Sequence, residues 1–351
     1  MKLNFRFIIK FLLLLLAAAA VWNYKLIGYG ISQLSGQLHI IRNAVPVTEV
    51  LNNPATPDSV KEKLIYIDQV RRYAMDSLGL KNSDNYTTLF DQQGKPVMWV
   101  VTASLPYELK AFEWWFPVIG TVSYKGFFTE EKALREAEKV KEAGYETDIY
   151  SPYAWSTLGY FTDPILSNML YRGPGRLADL IIHELTHATV YLKSSVDFNE
   201  NFATFVGEEG AGRFLKHHFG EGSMEHTRFV QFLQDDEIYH QYMIRSAQRL
   251  DSLYKTFSSE TSLNTKETQK QAMLIEITNG IRDLPYHQPE RFQKMLDRKV
   301  QLNNTDFLAY LRYRKDQSVF RDALEKKYNG DLRAMVEDVV KKSERGEEVE
   351  F

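Results

Sequence analysis

His183-Glu184-Leu185-Thr186-His187 is the part of this chain best equipped for chemistry. Histidines four apart on a helix share one face, one turn apart, so both rings can reach a single zinc ion. Glu184 lies between them in the chain and can stand beside a metal-activated water as general base. A catalytic zinc takes three protein ligands and keeps a fourth position open. Asn199-Glu200-Asn201-Phe202-Ala203 follows closely, and Glu200 is the choice for the third ligand. Asp197 or Asn199 could cap a helix there, which puts Glu200 in its first turn. Ala203, Thr204 and Gly207 would share its face, small enough to press against the helix of the histidines. Glu208 and Glu209 are its rivals, and a solvent-facing carboxylate favoured by the helix dipole is the plain alternative.

The flanks must hold these groups. Leu177 to Ile182 leads into the motif and Ala188 to Leu192 leads out, without Gly or Pro, for about four helical turns. Gly173-Pro174-Gly175 and Arg176 mark the start, and Lys193-Ser194-Ser195 marks the stop. A helix apolar on most faces is buried, and two histidines and a carboxylate buried there need partners that a metal supplies. Upstream, Pro96 to Ala103, Val118 to Phe128 and Tyr145 to Tyr150 are β-rich. A helix from Glu130 to Ala143, capped by Thr129 and closed by Gly144, lies between the last two. Ser59 to Leu78 reads as a helix ended by Gly79, and the amphipathic pattern of Gln33 to Leu51 is broken by Pro46. Beyond Asn201 the periodicity is helical: Val230 to Phe257, Lys266 to Arg282 after a polar Ser258 to Thr265, and Asn303 to Val340 interrupted at Asn329-Gly330.

Asn199-Glu200-x-Phe202-Ala203 after HExxH resembles the NExFA element of the gluzincin peptidases, where that glutamate binds zinc. Longer runs resemble the predicted-aminopeptidase family of bacterial membrane-associated proteins: Trp114 to Phe128, Tyr153 to Pro164, the HELTH segment and Phe198-Asn199-Glu200. The likeness spans about Gly28 to Tyr313. It implies an α+β fold with a zincin-like core, a small β-sheet lobe, the HExxH helix and a mainly helical C-terminal part. It also implies Zn2+ as cofactor and a peptide or protein as substrate. Two departures stand out. Only twelve residues separate His187 from Glu200, so the two helices need a tight connection. No GxMEN-like segment is present to hold a free amine, which leaves aminopeptidase less secure than metallopeptidase.

Other residues have weaker claims. Val118 to Tyr124 could be a sheet edge that pairs with an extended substrate, or an ordinary strand. Tyr153 and Tyr160 could donate to the oxyanion of a tetrahedral intermediate, with His240 behind them. Asp179, one turn before His183, could orient its ring or simply face water. His217, His218 and His226 lack a partnered carboxylate pattern and read as surface residues.

Formal charge is −3, from 43 basic and 46 acidic residues, with no basic stripe, so nucleic acid is not an expected partner. Cysteine is absent, which excludes disulfides, thiol catalysis and Cys-ligated zinc. Lys2, Arg6 and Lys10 precede an apolar run from Phe11 to Trp22 that reads as an export segment. Ala18-Ala19-Ala20 offers a cleavage site, while a helix from Phe7 to about Tyr29 could just cross a bilayer as a retained anchor. Either way the catalytic part would lie outside the cytoplasm. The expected organisation is a signal or membrane anchor over 1–31, a metallopeptidase domain over 32–340, and a charged, disordered tail over 341–351. Within that domain the sheet lobe covers about 90–175 and the helices 176–340. The expected activity is zinc-dependent peptide-bond hydrolysis by an aminopeptidase. The alternatives are an envelope endopeptidase and a zinc-stabilised scaffold without turnover.

Overall fold

Among the described residues, the strands upstream of His183 assemble into three small sheets. The computed structural model describes residues 23–117, 120–152, 161–192, 195–298, 301–312, 317–347, 349 and 351. The described part opens with α1 (Tyr24–Asn43), which stops short of Pro46, where a residue without an N–H cannot extend a helix. Then come β1 (Val45–Pro46), α2 (Val47–Asn52), α3 (Asp58–Asp76), β2 (Thr88–Phe90), β3 (Trp99–Ser104), β4 (Trp114–Phe116), β5 (Gly120–Val122) and β6 (Tyr124–Phe127). Next are α4 (Glu130–Glu142), β7 (Glu146–Tyr150), β8 (Ile165–Leu166) and a 3-10 turn (Ser167–Tyr171). The helical part follows as α5 (Pro174–Thr189), α6 (Val196–Phe219), α7 (Met224–Lys255), α8 (Leu263–Arg282), α9 (Pro289–Arg298), α10 (Asn304–Arg312), α11 (Gln317–Lys326) and α12 (Leu332–Arg345). The molecule is a mixed α+β protein with helix predominant.

β3 is the centre of the sheet β6-β3-β7, antiparallel to both neighbours, with Val100 opposite Gly126 on one side and Tyr150 on the other. β2 pairs antiparallel with β1 and parallel with β8, and β4 pairs antiparallel with β5. The β-rich stretch expected over Val118 to Phe128 holds two strands, β5 and β6. The chain changes sheets at Ser123, which propensity could not reveal because both halves are extended. Val118 and Ile119, part of the expected substrate-pairing edge, lie outside the described residues.

Three cores hold the molecule together. The largest surrounds α5 and joins it to α3, β8, α6, α11 and α12 through residues such as Leu64, Ile165, Ile181, Phe202 and Met335. A second fills the space among α7 to α10, and a third lies between the β3 sheet and α4. The Trp114 indole donates to Glu136 Oε1 at 2.8 Å and Lys125 Nζ stands 3.0 Å away, tying α4 to the strands. Burial opposes charge on Glu136, but these two donors outweigh it and hold its carboxyl below the usual range.

The second core is fastened to the sheet through a buried charge. Lys270 on α8 is fully buried and donates to Pro106 O at 2.8 Å and to the Glu146 carboxylate on β7. The other Glu146 oxygen accepts from Asn304 N at 3.2 Å, and the Asn304 amide donates to Leu105 O at 2.8 Å.

The tail corrects an expectation. α12 continues to Arg345, and the Phe351 ring lies 5.2 Å from that of Phe320 and 6.3 Å from those of Phe198 and Phe202. Lys341, Glu344 and Arg345 lie on the exposed face of an amphipathic helix whose Met335, Val336 and Val339 are fully buried, so their charge marks a solvent face, not disorder. At the other end, residues 1–22 of the expected anchor lie outside the described residues. Leu26 and Tyr29 pack on the third core, and the Tyr29 hydroxyl donates to Gly126 O at 3.0 Å. Among the described residues no helix is long and apolar enough to cross a membrane.

Candidate metal centre

Helix α5 begins at Pro174, whose fixed φ suits a first helical position, and ends at Thr189, short of the Leu192 expected from its apolar run. Leu177, Ala178, Ile181, Ile182 and Leu185 are all buried, so the helix runs through the core and its polar groups must be satisfied there. Thr186 and Thr189 do this by donating back to Ile182 O (2.8 Å) and Leu185 O (2.6 Å). Among the described residues His183 and His187 have no such backbone outlet. Their Nε2 atoms face each other at 3.0 Å.

Glu200 arrives from α6. Neither Asp197 nor Asn199 caps this helix: it starts at Val196 with Ser195 at the N-cap, so Glu200 lies in the second turn, not the first. Asn199 has another task. It accepts from Leu192 N and donates to Leu192 O, both at 2.8 Å, clasping the short connection between α5 and α6. This clasp is how twelve residues suffice between His187 and Glu200. Phe202, 1 % exposed, anchors α6 in the core, and burying such a ring contributes about 1.5–3 kcal/mol. Ala203 and Gly207 continue the face of Glu200. A Cβ at Gly207 would stand 2.7 Å from Asp179 Oδ1 and 3.1 Å from His183 Cβ, so only glycine admits this approach of the two helices.

Glu200 Oε1 lies 3.5 Å from His187 Nε2, and Oε2 lies 3.8 Å from His183 Nε2. The three ligand atoms fall within 4.8 Å of one another and could hold a metal ion. Side-chain exposure is 5 % at His187 but 21 % at His183 and 32 % at Glu200, so the cluster is closed below and open along one rim. Its electrostatics are those of a site awaiting positive charge. Burial, then the neighbouring His187, pushes His183 down to about 3, against the pull of Glu200. At His187 burial opposes protonation, yet the hydrogen bond and charge of Glu200, with the charge of Glu184, raise it above its ordinary value. Glu200 is held below the usual carboxylate range: burial disfavours its charge, and the histidines, His187 foremost, outweigh burial.

Glu184 is buried on the same helix, between the two rings in sequence. One neighbour escaped the sequence reading. Tyr86 is 2 % exposed, has φ +63°, and its hydroxyl meets no hydrogen-bond partner among the described residues. Burial first, then the charges of Glu184 and Asp163, push its ionisation well above the ordinary tyrosine value, which places it on the Glu184 side of the helix. Its backbone N–H donates to Asp163 O at 2.7 Å, and Asp163 N donates to Asn85 Oδ1 at 3.0 Å. No sequence signal announces a tyrosine in a left-handed conformation.

The other candidates stand apart. Glu209 is paired with Arg213 at 3.0 Å, and neither it nor Glu208 belongs to the metal-capable group. The His217 ring lies 5.6 Å from that of Tyr73 and His218 stacks on Phe214 at 5.2 Å. His226 sits in the first turn of α7, its N–H donating to Ser223 Oγ. His240 is buried beside Tyr310, in the second core. Tyr153 and Tyr160 lie outside the described residues.

A family model described as "Putative aminopeptidase" matches residues 28–349. The chain belongs to that family. No curated protein and no solved structure matches it. The match takes in the three converging side chains, Glu184 and Tyr86, and the family's description makes peptide hydrolysis the activity to test against this geometry.

Proposed function

We propose that the protein is a zinc metallopeptidase of gluzincin type, with a zincin-like core, that removes N-terminal residues from peptides. The observation that carries this reading is the convergence of His183, His187 and Glu200 within 4.8 Å, beside the buried Glu184. Two ligands about 2.0–2.1 Å from a tetrahedral zinc stand about 3.3 Å apart, and the separations of 3.0, 3.5 and 3.8 Å bracket that spacing. Two imidazole nitrogens and a carboxylate are a donor set used by zinc hydrolases, and the absence of cysteine leaves no thiolate alternative.

A bound zinc would polarise the scissile carbonyl and acidify water at this site. His183, His187 and Glu200 would hold it, and the tight α5–α6 approach at Gly207 fixes their mutual placement. Glu184 accepts the proton of the attacking water and delivers it to the leaving amine. The open rim at His183 and Glu200 is the side from which an extended peptide reaches the centre. The apolar run from Phe11 to Trp22, after Lys2, Arg6 and Lys10, supports a protein exported to or held at the cell membrane, with its substrates outside the cytoplasm.

Hydrolysis of free-amine and N-blocked peptides, each with and without a chelator, tests the reading. Chelator-sensitive cleavage that requires the free amine is expected. Chelator-sensitive cleavage of blocked peptides would make the protein an endopeptidase, and bound zinc without any cleavage would make it a scaffold.

A further inference from the structure

Tyr86 carries two costs for which the fold has no use. Its φ of +63° lies in the left-handed region, where a bulky side chain is strained and glycine is the usual occupant. Its hydroxyl is buried and meets no hydrogen-bond partner among the described residues. Buried hydroxyls are normally bonded, and one that is not calls for a reason. Packing does not supply it. The ring belongs to the largest core, where phenylalanine would serve without stranding an oxygen.

The segment between α3 and β2 is fastened so as to hold this conformation. Lys81 N donates to Thr189 Oγ1 at 3.0 Å, and Ser83 O accepts from Arg71 at 2.9 Å. Asn85 Oδ1 accepts from Asp163 N at 3.0 Å, Tyr86 N donates to Asp163 O at 2.7 Å, and Thr87 O accepts from Val47 N at 2.9 Å. A strained residue persists only where its surroundings over-determine it, and such residues gather at functional sites.

The same fastening sets the segment against the face of α5 that carries Glu184. Ala188 lines a cavity together with Lys81, Ser83, Asp84 and Asn85, and Tyr86 follows Asn85 directly. Ala188 comes four residues after Glu184, so it lies on the same face, one turn on. Charge agrees with this placement. Burial first, then Glu184, then Asp163 keep the hydroxyl protonated well above the ordinary tyrosine range, so it stays a neutral donor.

We propose that Tyr86 is a positioning residue, its hydroxyl donating to the Glu184 carboxylate in the zinc-loaded protein and holding it for proton transfer. The inference rests on the reading of Glu184 as general base. A carboxylate offers about four acceptor sites, so it takes this donor alongside its other partners. A donor to the charged form orients the base and keeps it ionised until the proton of water arrives. Such bonds are commonly open in the resting protein and close once the site is loaded.

Tyr86→Phe in the full-length protein tests this. Zinc content should stay at the parental value and Tm should not fall, since the fold loses no bond; a lower Tm would make the hydroxyl structural and overturn the proposal. Turnover is expected to fall about tenfold in kcat at constant KM. An unchanged kcat, or a loss carried by KM, would overturn it. Added to Glu184→Gln, the same change should leave residual turnover as it was, because a residue that acts through Glu184 has nothing left to act on. A further tenfold loss there would also overturn it.

A readout without turnover separates this inference from the peptidase reading. With 13C at tyrosine Cζ, the Tyr86 signal is the one of 20 that Tyr86→Phe removes. In the zinc-loaded protein it should move on Glu184→Gln, and by more than on Asp163→Asn. No movement, or the reverse order, would overturn the proposal even in an active peptidase. The expected movement in a protein that cleaves no peptide would instead refute the peptidase reading and leave the Tyr86–Glu184 pair standing.

Discussion

The clusters around Lys270 and around His187 both bury charge, and they treat it in opposite ways. Around Lys270 every partner is present: the ammonium reaches Pro106 O and Glu146, and Glu146 takes a further bond from Asn304. The cluster is closed on itself and ties α8 and α10 to the sheet. Around His187 the groups bond to one another and still turn their acceptor atoms toward one shared point. Two Nε2 atoms confront each other at 3.0 Å, and a carboxylate stands 3.5 and 3.8 Å away. A polar cluster that answers its own bonds is scaffold, whereas one whose lone pairs meet at a point is a place for a cation.

The contrast is tested most sharply at Glu184, whose charge acts on His187 although it is not one of the three converging ligand groups. Glu184→Gln should lower peptide turnover by about 10³-fold, the middle of the range for loss of a general base. Zinc content by atomic absorption should stay at one per chain. Near-parental turnover would remove Glu184 from the chemistry, and lost zinc would give it a structural share.

Glu200→Ala acts on the converging cluster itself. It should abolish stable zinc retention, while Glu208→Ala leaves zinc in place; the reverse pattern would hand the third-ligand role to Glu208. Protons compete for the same atoms. His187 is raised above its ordinary value, so below that raised value it binds a proton that zinc must displace. Zinc affinity, measured by competition with a chelating dye, should fall as pH is lowered through the range around neutrality. A flat profile would contradict the charges assigned to the cluster.

Much of this cluster was legible because its chemistry repeats at helical spacing. His183, Glu184 and His187 are fixed by one motif, and the small Ala203 and Gly207 announce a close helix approach beside Glu200. What stayed hidden depends on partners distant in sequence. Asn199 looks like a cap, yet it clasps Leu192, and nothing local distinguishes the two uses of its amide. Tyr86 reads as a turn tyrosine until the fold buries it near Glu184. The scaffold cluster was wholly illegible: Lys270, Glu146 and Asn304 are scattered over three elements, and each looks like a surface residue. Phe351 similarly gave no sign, at the end of a charged segment, that it would pack on Phe320.

The scaffold cluster should fail in a different manner. Lys270→Met leaves the Glu146 carboxylate facing a buried apolar group and should cost about 3 kcal/mol in urea unfolding. Adding Glu146→Gln removes the stranded charge and should recover most of that loss. Zinc content per folded molecule should stay the same in both variants. Loss of zinc in a folded Lys270→Met protein would show that the two clusters are coupled, and the contrast between them would fall.

The smallest effects come from two glycines on α6, and their opposite signs locate the helix approach that holds the metal-capable cluster. A Cβ at Gly212 would meet nothing within 4 Å, so Gly212→Ala should stabilise by about 0.5–1 kcal/mol through the unfolded chain. A Cβ at Gly207 would meet the Asp179 carboxylate at 2.7 Å and the Asp179 backbone carbonyl oxygen at 3.1 Å. The side chain can turn aside, but the carbonyl on a buried helix cannot, so α6 must move away from α5. Gly207→Ala should therefore cost about 1–3 kcal/mol and also weaken zinc binding, because Glu200 rides on the displaced helix two turns earlier. Thermal unfolding with and without zinc separates the two components. The zinc-induced rise in Tm should shrink for Gly207→Ala and stay at the parental size for Gly212→Ala. An undiminished rise at Gly207→Ala would mean that the ligands are positioned by the Asn199 clasp, not by the helix contact.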